Sequence, residues 1–519
     1  MPTLKIDDKE ITVEPGASVL QAALANGIEI PHYCWHPALS VAGSCRMCLV
    51  EIEGSPKLQL SCATEARDGM VVRTQTEQVK DARKSMLEFF LINHPLDCPI
   101  CDKAGECLLQ DYTWKYGTSH SRMVEDKRER PTKDLGGHIL LYRNRCVLCS
   151  RCVRFYQEVV GDPYLFIEHR GYHSDISIFP GKGLTHIMTG NIVEICPVGC
   201  LIDKDFLFHA RVWNLQRSKS VCPGCSSGCT IYLEHKDQRV FRIRNRENTA
   251  IQQQWICDDG RYLYHRYENL NRPEGPMTRQ GGTLKPQTWE QAMTQAVEAL
   301  QKNPGQLAAV GSAFASCEEN YLLRKIFRCI LGCEQLSFYA PAIKETDTVF
   351  RGGFTIRGDK SPNRKGAELL LGDQTDFYQA IESGRITRLF LINGDPLLRL
   401  TAEQKRILAK LQELWVLDIQ STEWDNVAHH IWPIACFTET QGTYVNVKGQ
   451  VQRFQRALQP PQGVRPGWEV LLDLLRRLAP GASMLSATDV LDALAMEEPA
   501  WRSISYFKLG DQGLPIESR

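Results

Sequence analysis

His94-Pro95-Leu96-Asp97-Cys98-Pro99-Ile100-Cys101-Asp102-Lys103-Ala104-Gly105-Glu106-Cys107 is the stretch from which the rest of this chain can be read. Three cysteines crowd one loop, and none follows until Cys146. A four-coordinate sulfur site needs four ligands, so the loop is one donor short. Which residue supplies the fourth depends on what the neighbouring cysteines already do.

Cysteine usage sets the class. The 519-residue chain holds 20, of which 16 lie between Cys34 and Cys257. Disulfide scaffolds are short and secreted. Met1-Pro-Thr-Leu-Lys-Ile lacks the basic and apolar regions of a signal peptide, so clustered thiols in this long chain read as metal ligands. Lysine plus arginine equals aspartate plus glutamate at 61 each, which gives no electrostatic case for nucleic acid or a membrane surface. No apolar run approaches the roughly 20 residues of a spanning helix. The expectation is a soluble, cytoplasmic chain of three to four domains, at about 150 residues each.

Residues 1–78 read as a small β-rich module. Leu4-Lys-Ile and Ile11-Thr-Val are short strands joined through Asp7-Asp8, Ser18 can cap a helix running to Ala25, and Gly27 stops it. Cys34-x10-Cys45-x2-Cys48-x13-Cys62 follows, and Cys48-Leu-Val-Glu-Ile and Met70-Val-Val-Arg close the unit as strands. This resembles a [2Fe–2S] ferredoxin β-grasp domain. The plant-type spacing has four residues between its first two cysteines; the ten here match the longer loop of ferredoxin domains in respiratory complex I and related hydrogenases. Residues 79–125 open with a helical pattern from Val79 to Ile92, apolar at 79, 82, 86, 89 and 90. Pro95 ends it and leaves His94 at the head of the ligand loop. The charged residues 126–137 read as a solvated connector.

Residues 138–209 hold Cys146-x2-Cys149-x2-Cys152, with Cys196-Pro197 far downstream. In two-cluster bacterial ferredoxins each run is C-x2-C-x2-C-x3-C-P, and its fourth cysteine serves the other cluster. On that template the first run's fourth position is Tyr156, and the second run's first three are His186, Thr189 and Ile192. Only Cys196 survives, and it completes the site of Cys146, Cys149 and Cys152. One [4Fe–4S] cluster is kept, one is lost, and His186 is an ordinary residue. Residues 215–271 carry Cys222-x2-Cys225-x3-Cys229-x27-Cys257, with strand-like Thr230-Ile-Tyr-Leu and Val240-Phe-Arg-Ile-Arg between the last two. This is similar to the N-terminal [4Fe–4S] domain of molybdopterin oxidoreductases such as formate dehydrogenases and nitrate reductases. From 272 to 519, strand-like runs (Leu307 to Gly311, Arg388 to Gly394, Leu414 to Asp418) alternate with helical ones (Trp289 to Leu300, Glu318 to Ile330, Ala402 to Leu411), which argues for an α/β domain with a largely parallel sheet. Thr440-Gln-Gly-Thr-Tyr-Val-Asn-Val-Lys-Gly-Gln-Val-Gln resembles a segment of the same molybdopterin family. The fold class expected is multidomain, α+β and then α/β.

Structural zinc usually combines two separated ligand pairs. Three of the present sets instead place three cysteines within ten residues and take one ligand from elsewhere, as three corners of an iron–sulfur cube are held. With the sets at 34–62, 146–196 and 222–257 closed, Cys200 alone is left among the first 16, close behind Cys196. It reads as a small buried residue. Cys317, Cys329, Cys333 and Cys436 are scattered through the α/β domain and read as core thiols. His94 therefore fills the vacancy beside Cys98, Cys101 and Cys107. A neutral imidazole in place of a thiolate makes that cluster less negative and raises its potential, as in Rieske centres.

The four sets in this order resemble the large iron–sulfur subunits of respiratory complex I, over roughly residues 1–271 with specific motifs and more weakly beyond. The resemblance implies one [2Fe–2S] and three [4Fe–4S] clusters relaying electrons from an NADH- and FMN-binding partner subunit, among other peripheral-arm subunits, towards quinone. The chain would sit on the cytoplasmic side of the membrane without spanning it, as part of a proton-translocating NADH dehydrogenase. The Cys222-type cluster lies off the main path in that family. No G-x-G-x-x-G on a strand-to-helix turn and no P-loop lysine is present, so no flavin or substrate site is expected on this chain. The competing readings are a catalytic molybdopterin enzyme, such as an NAD-linked formate dehydrogenase, and an iron-only hydrogenase. Against the first, the relay lysine two residues after the fourth cysteine is Asp259, and the region of a metal-ligating cysteine, selenocysteine or serine reads Phe338-Tyr-Ala-Pro-Ala-Ile-Lys-Glu-Thr. The catalytic cysteine motifs of the second do not follow Cys257. The final domain is expected to be a scaffold without molybdopterin.

Overall fold

The computed structural model describes residues 1–302 and 306–517. They divide into two units, Met1–Leu215 with Phe350–Gly353, and Gln216–Val349 with Phe354–Arg519. In the first unit Asp7, at φ 51°, makes the left-handed turn between β1 (Thr3–Ile6) and β2 (Lys9–Thr12). Ser18 caps α1 (Val19–Ala25) in a reciprocal capping box with Gln21, as its place before the apolar run predicts. β3 (Leu49–Ile52), β4 (Gln59–Leu60) and β5 (Val71–Arg73) complete a sheet in the order β2-β1-β5-β3-β4, with β1 and β5 parallel. Leu4, Ile6, Leu20, Val50 and Val72 form its core.

The next helix, α2 (Glu77–Leu91), is capped by Thr76 and buries Val79, Arg83 and Leu87. The apolar positions 82, 86, 89 and 90 were expected on that face, yet Phe89 is 67 % exposed. The i, i+4, i+8 stripe is decided by what it meets. Arg83 is fully buried, its nitrogens have no hydrogen-bond partner among the described residues, and its guanidinium lies 5.4 Å from the ring centre of Tyr116 on α3 (Leu108–Tyr116). Burial lowers its pKa from the ordinary arginine value, and Tyr116, Asp7 and Glu29 offset that only in part. Beyond α3, residues 126–132 hold no helix or strand. β6 (Lys133–Asp134), β7 (Ile139–Leu141), α4 (Arg151–Phe155), β8 (Leu165–Glu168), β9 (Asp175–Ile178), α5 (Asn191–Ile195) and β10 (Leu201–Asp203) follow. They make a small sheet β10-β7-β6 and a β8-β9 hairpin.

The second unit begins with an antiparallel sheet of β11 (Gln216–Val221), β12 (Thr230–Lys236) and β13 (Arg239–Asn245). Cys222 to Cys229 is the β11–β12 connection. Behind it stand five parallel strands in the spatial order Gln335–Tyr339, Leu307–Ser312, Arg388–Ile392, Glu413–Asp418 and His430–Pro433. The hairpin Met277–Gln280 and Thr283–Pro286 adds an antiparallel edge that the strand–helix alternation did not announce. Trp289–Leu300 and Ala402–Leu408 are helical, and Cys317–Arg324 runs into a π-helical turn over Lys325–Ile330. Cys317, Cys333 and Cys436 are buried as expected, whereas Cys329 is exposed on that turn and is no core residue. No helix among the described residues is long and apolar enough to cross a membrane.

Candidate iron–sulfur ligand loops

In the first loop the Tyr33 N–H donates to Cys45 Sγ at 3.4 Å. The four sulfurs form a chain of contacts, Cys45 to Cys34 to Cys62 to Cys48. Such a chain of adjacent donors suits a two-iron rhomb, which takes ligands at both ends. Among the described residues no group of three or more His, Cys, Asp or Glu side chains is arranged to hold a single metal ion.

Cys146, Cys149, Cys152 and Cys196 line one small cavity in the same unit. Leu148 and Ser150, at φ 49° and 59°, are both left-handed and flank Cys149. The Leu148 N–H is aimed at Cys146 Sγ, 3.4 Å away. Non-glycine residues held in that region concentrate at functional sites. Burial pushes the Cys149 thiol up to about 12, so a thiolate there needs the positive charge of a metal, and metal binding expels the proton. The residues at the positions of the missing second cluster also meet. Tyr156 Oη and Thr189 Oγ1 are 2.6 Å apart, Ile192 is fully buried, and His186 packs edge-on against Phe350 while its Nδ1 accepts from the Met188 N–H. His186 is thus engaged by an aromatic ring and a backbone N–H.

At the opening loop Cys101 and Cys107 are buried and Cys98 is exposed. Burial pushes Cys107 up to about 11. His94 is half-buried at the foot of α2, and among the described residues no hydrogen bond engages its ring. Burial first, then the charges of Arg145 and Lys127, hold it down at about 4. The imidazole is therefore neutral near pH 7, the form that donates to a metal. Arg145, the residue before Cys146, holds Asp97 Oδ2 through Nη2 and Nε at 2.8 and 3.0 Å, and Asp97 itself precedes Cys98. The Arg145 charge acts on both His94 and Cys101.

Buried side chains stitch these three loops together. Arg154 donates to the carbonyls of Cys34 and Ser40, to Ser150 Oγ at 3.1 Å and to the Cys149 carbonyl at 3.4 Å. It thus joins a ligand residue of the first loop to one of the second. Arg151 donates to Trp35 O at 2.6 Å and Ile195 O at 3.1 Å. The rings of Tyr33 and Tyr112 meet at 5.4 Å, tilted by 49°, between the first and third loops. Gly199, three residues after Cys196, abuts Cys101 Sγ, and a Cβ there would also stand 3.1 Å from Lys103 Cβ. The sequence reading found none of these links.

In the second unit Cys222, Cys225, Cys229 and Cys257 share one wall of a cavity of about 550 Å3. Burial pushes Cys257 up to about 12, with Asp259 and Asp258 adding to the shift. The predicted molybdopterin-like segment, residues 440–452, lies on this loop: the Val447 N–H donates to Ser226 O at 2.9 Å, Asn446 Nδ2 to Ser227 O at 3.1 Å and Gln452 Nε2 to Gly228 O at 2.8 Å. The 338–346 segment reaches the cavity through Tyr339, Pro341, Lys344 and Glu345, and the relay position through Asp259. None of these is the cysteine, selenocysteine or serine that the resemblance calls for.

Family models match the chain in the same order: a 2Fe-2S iron-sulfur cluster binding domain over 1–77, the NADH-ubiquinone oxidoreductase-G iron-sulfur binding region over 83–122, the ferredoxin-like domain of NADH-quinone oxidoreductase subunit 3 over 136–202, a molybdopterin oxidoreductase Fe4S4 domain over 215–269 and a molybdopterin oxidoreductase domain over 363–477. The G subunit of the NADH-quinone oxidoreductase of Rickettsia conorii is 38 % identical over 68 % of this chain and 52 % of its own length. The NADH-ubiquinone oxidoreductase 75 kDa subunit of Reclinomonas americana is 39 % identical over 63 % of this chain and 47 % of its own. The chain spans about half the length of these curated relatives. A solved structure of an NAD+-reducing [NiFe]-hydrogenase in the H2-reduced state matches 41 % of this chain and 91 % of its own, with 35 % identity and a TM-score of 0.38.

Proposed function

Because this chain belongs to the family of NADH-quinone oxidoreductase G subunits, we propose that it is an electron-transfer subunit that passes electrons from an NADH- and flavin-binding partner towards quinone. Bound clusters would supply the one-electron chemistry: a [2Fe–2S] cluster on Cys34, Cys45, Cys48 and Cys62, and three [4Fe–4S] clusters on His94, Cys98, Cys101 and Cys107, on Cys146, Cys149, Cys152 and Cys196, and on Cys222, Cys225, Cys229 and Cys257. The observation that carries this reading is the stitching of the first three loops. A relay needs its stations close and rigidly spaced, and Arg154, Arg151, the Tyr33–Tyr112 pair and the Gly199 contact supply both properties. The protein's own residues withdraw the ligand sulfurs from water, apart from the exposed Cys98 and the half-buried Cys146, aim N–H groups at some of them and place fixed charges nearby, which tunes potentials. The domains run 1–78, 79–125, 138–209, 215–271 and 272–519. The last is a scaffold without molybdopterin, a reading supported by the lack of cysteine and serine in the 338–346 stretch that lines the cavity. The subunit lies peripherally on the cytoplasmic face of the membrane and meets NADH and quinone only through its partners.

Metal analysis and electron paramagnetic resonance of the full purified chain test this. Fourteen irons, no molybdenum and four cluster signals are expected. Stoichiometric molybdenum, or zinc in place of iron, would overturn it.

A further inference from the structure

Five thiols line the cavity of the Cys146 loop: Cys146, Cys149, Cys152, Cys196 and Cys200. Cys200 is 2 % exposed, and its sulfur lies within hydrogen-bonding reach of the sulfurs of Cys146 and Cys196. Its backbone has no room to turn away. On one side Gly199 is pressed against Cys101 and Lys103; on the other Leu201 starts β10, paired with Leu141, and the Cys200 carbonyl accepts from the Tyr142 N–H at 2.7 Å. A [4Fe–4S] cube offers one iron to each of four ligands, so a fifth sulfur beside two of those ligands can reach the iron that either one releases.

We propose that Cys200 is a reserve ligand of this cluster, able to replace Cys146 or Cys196 but not Cys149 or Cys152. The inference rests on the ligand set proposed above. With Cys196 or Cys146 absent, the Cys200 thiol gives its proton to solvent and its sulfur donates an electron pair to the open iron. Iron and sulfide keep their oxidation states, so no oxidant or reductant is required. A merely structural Cys200 would fill space equally well as alanine or serine.

The test compares wild-type, C200A, C146S, C149S, C196S and C196S/C200A full chains by iron content and by spin-quantified electron paramagnetic resonance. The expected result is a retained [4Fe–4S] signal with altered g-values in C146S and C196S, and loss of that signal with four irons in C149S and C196S/C200A. C200A keeps the cluster on its four ordinary ligands. If C196S and C146S lose the cluster as completely as C149S while wild type and C200A keep it, the reserve role is wrong and the ligand set stands. A wild-type chain without this cluster overturns both. The other three cluster signals report folding in every variant. Should C196S lose those as well, the C146S and C146S/C200A pair decides by the same criterion.

Discussion

Replacing Arg154 with methionine should lower the potentials of two clusters at once. Its guanidinium is nearly fully buried and donates to the carbonyls of Cys34 and Cys149, ligand residues of different sites. A cation bonded to a residue's carbonyl stands roughly 7 Å from that residue's sulfur. With an effective dielectric of about 20, a unit charge at that distance changes the energy of one added electron by about 2.4 kcal/mol, or about 100 mV. The reduced cluster is the more negative form, so removing the cation moves both midpoints down. The lost hydrogen bond strands the buried Cys34 carbonyl, at a stability cost of about 1–3 kcal/mol. R154K keeps the charge and should recover most of the potential but less of the stability. The assay is a redox titration of the full chain followed by electron paramagnetic resonance, with thermal unfolding beside it. Unchanged midpoints for the Cys34-type and Cys146-type clusters, or a shift confined to one of them, would refute the shared position of this charge.

H94A should perturb or remove one [4Fe–4S] signal and leave the other three clusters intact, while H94C should keep the cluster at a lower potential, because a thiolate adds negative charge; both are read by the same titration, and four unchanged signals in H94A would exclude the histidine ligand. G199A puts a Cβ into Cys101 Sγ, an overpacking of about 1–3 kcal/mol, and should broaden or shift the signals of the His94-type and Cys146-type clusters together while sparing the Cys222-type. Burial raises Glu318 to about 7, above its unfolded value. Its stabilising contribution is thus fully present below about pH 4.5 and is lost as pH rises through 7. Thermal unfolding of E318Q should accordingly show a gain over wild type at pH 8 that vanishes by pH 5, offset in part by disturbed bonds from Tyr506 Oη and the Thr443 N–H.

The order of the iron–sulfur domains was legible because coordination fixes both residue type and spacing. On the two-cluster template Tyr156 and Thr189 fall at positions whose side chains meet in space. Capping chemistry likewise placed α1, and β-rich runs flanked by helices placed most of the parallel sheet. What failed to show was long-range and carried by backbone. Arg154 bonds a carbonyl 120 residues away, and carbonyls leave no signature in a sequence. The face of α2 was misread because its buried stripe contains Arg83, which hydrophobicity alone sends to solvent. Cys200 shows both sides: its burial was foreseen, but its closeness to Cys146 required the β10–β7 pairing, which joins residues 60 apart.

Cys98 is the one proposed ligand thiol that stands exposed among the described residues. Water at that corner stabilises the charge of a reduced cluster, and the neutral imidazole of His94 lessens the charge to begin with. Both effects raise the midpoint. An electron shared among the three sites of the first unit would therefore rest mostly at the His94 loop, with the other two acting as its approach. The same open corner admits a chelator to iron first. With the proposed ligands in place, the site that would hold the electron best would also be the one most readily dismantled.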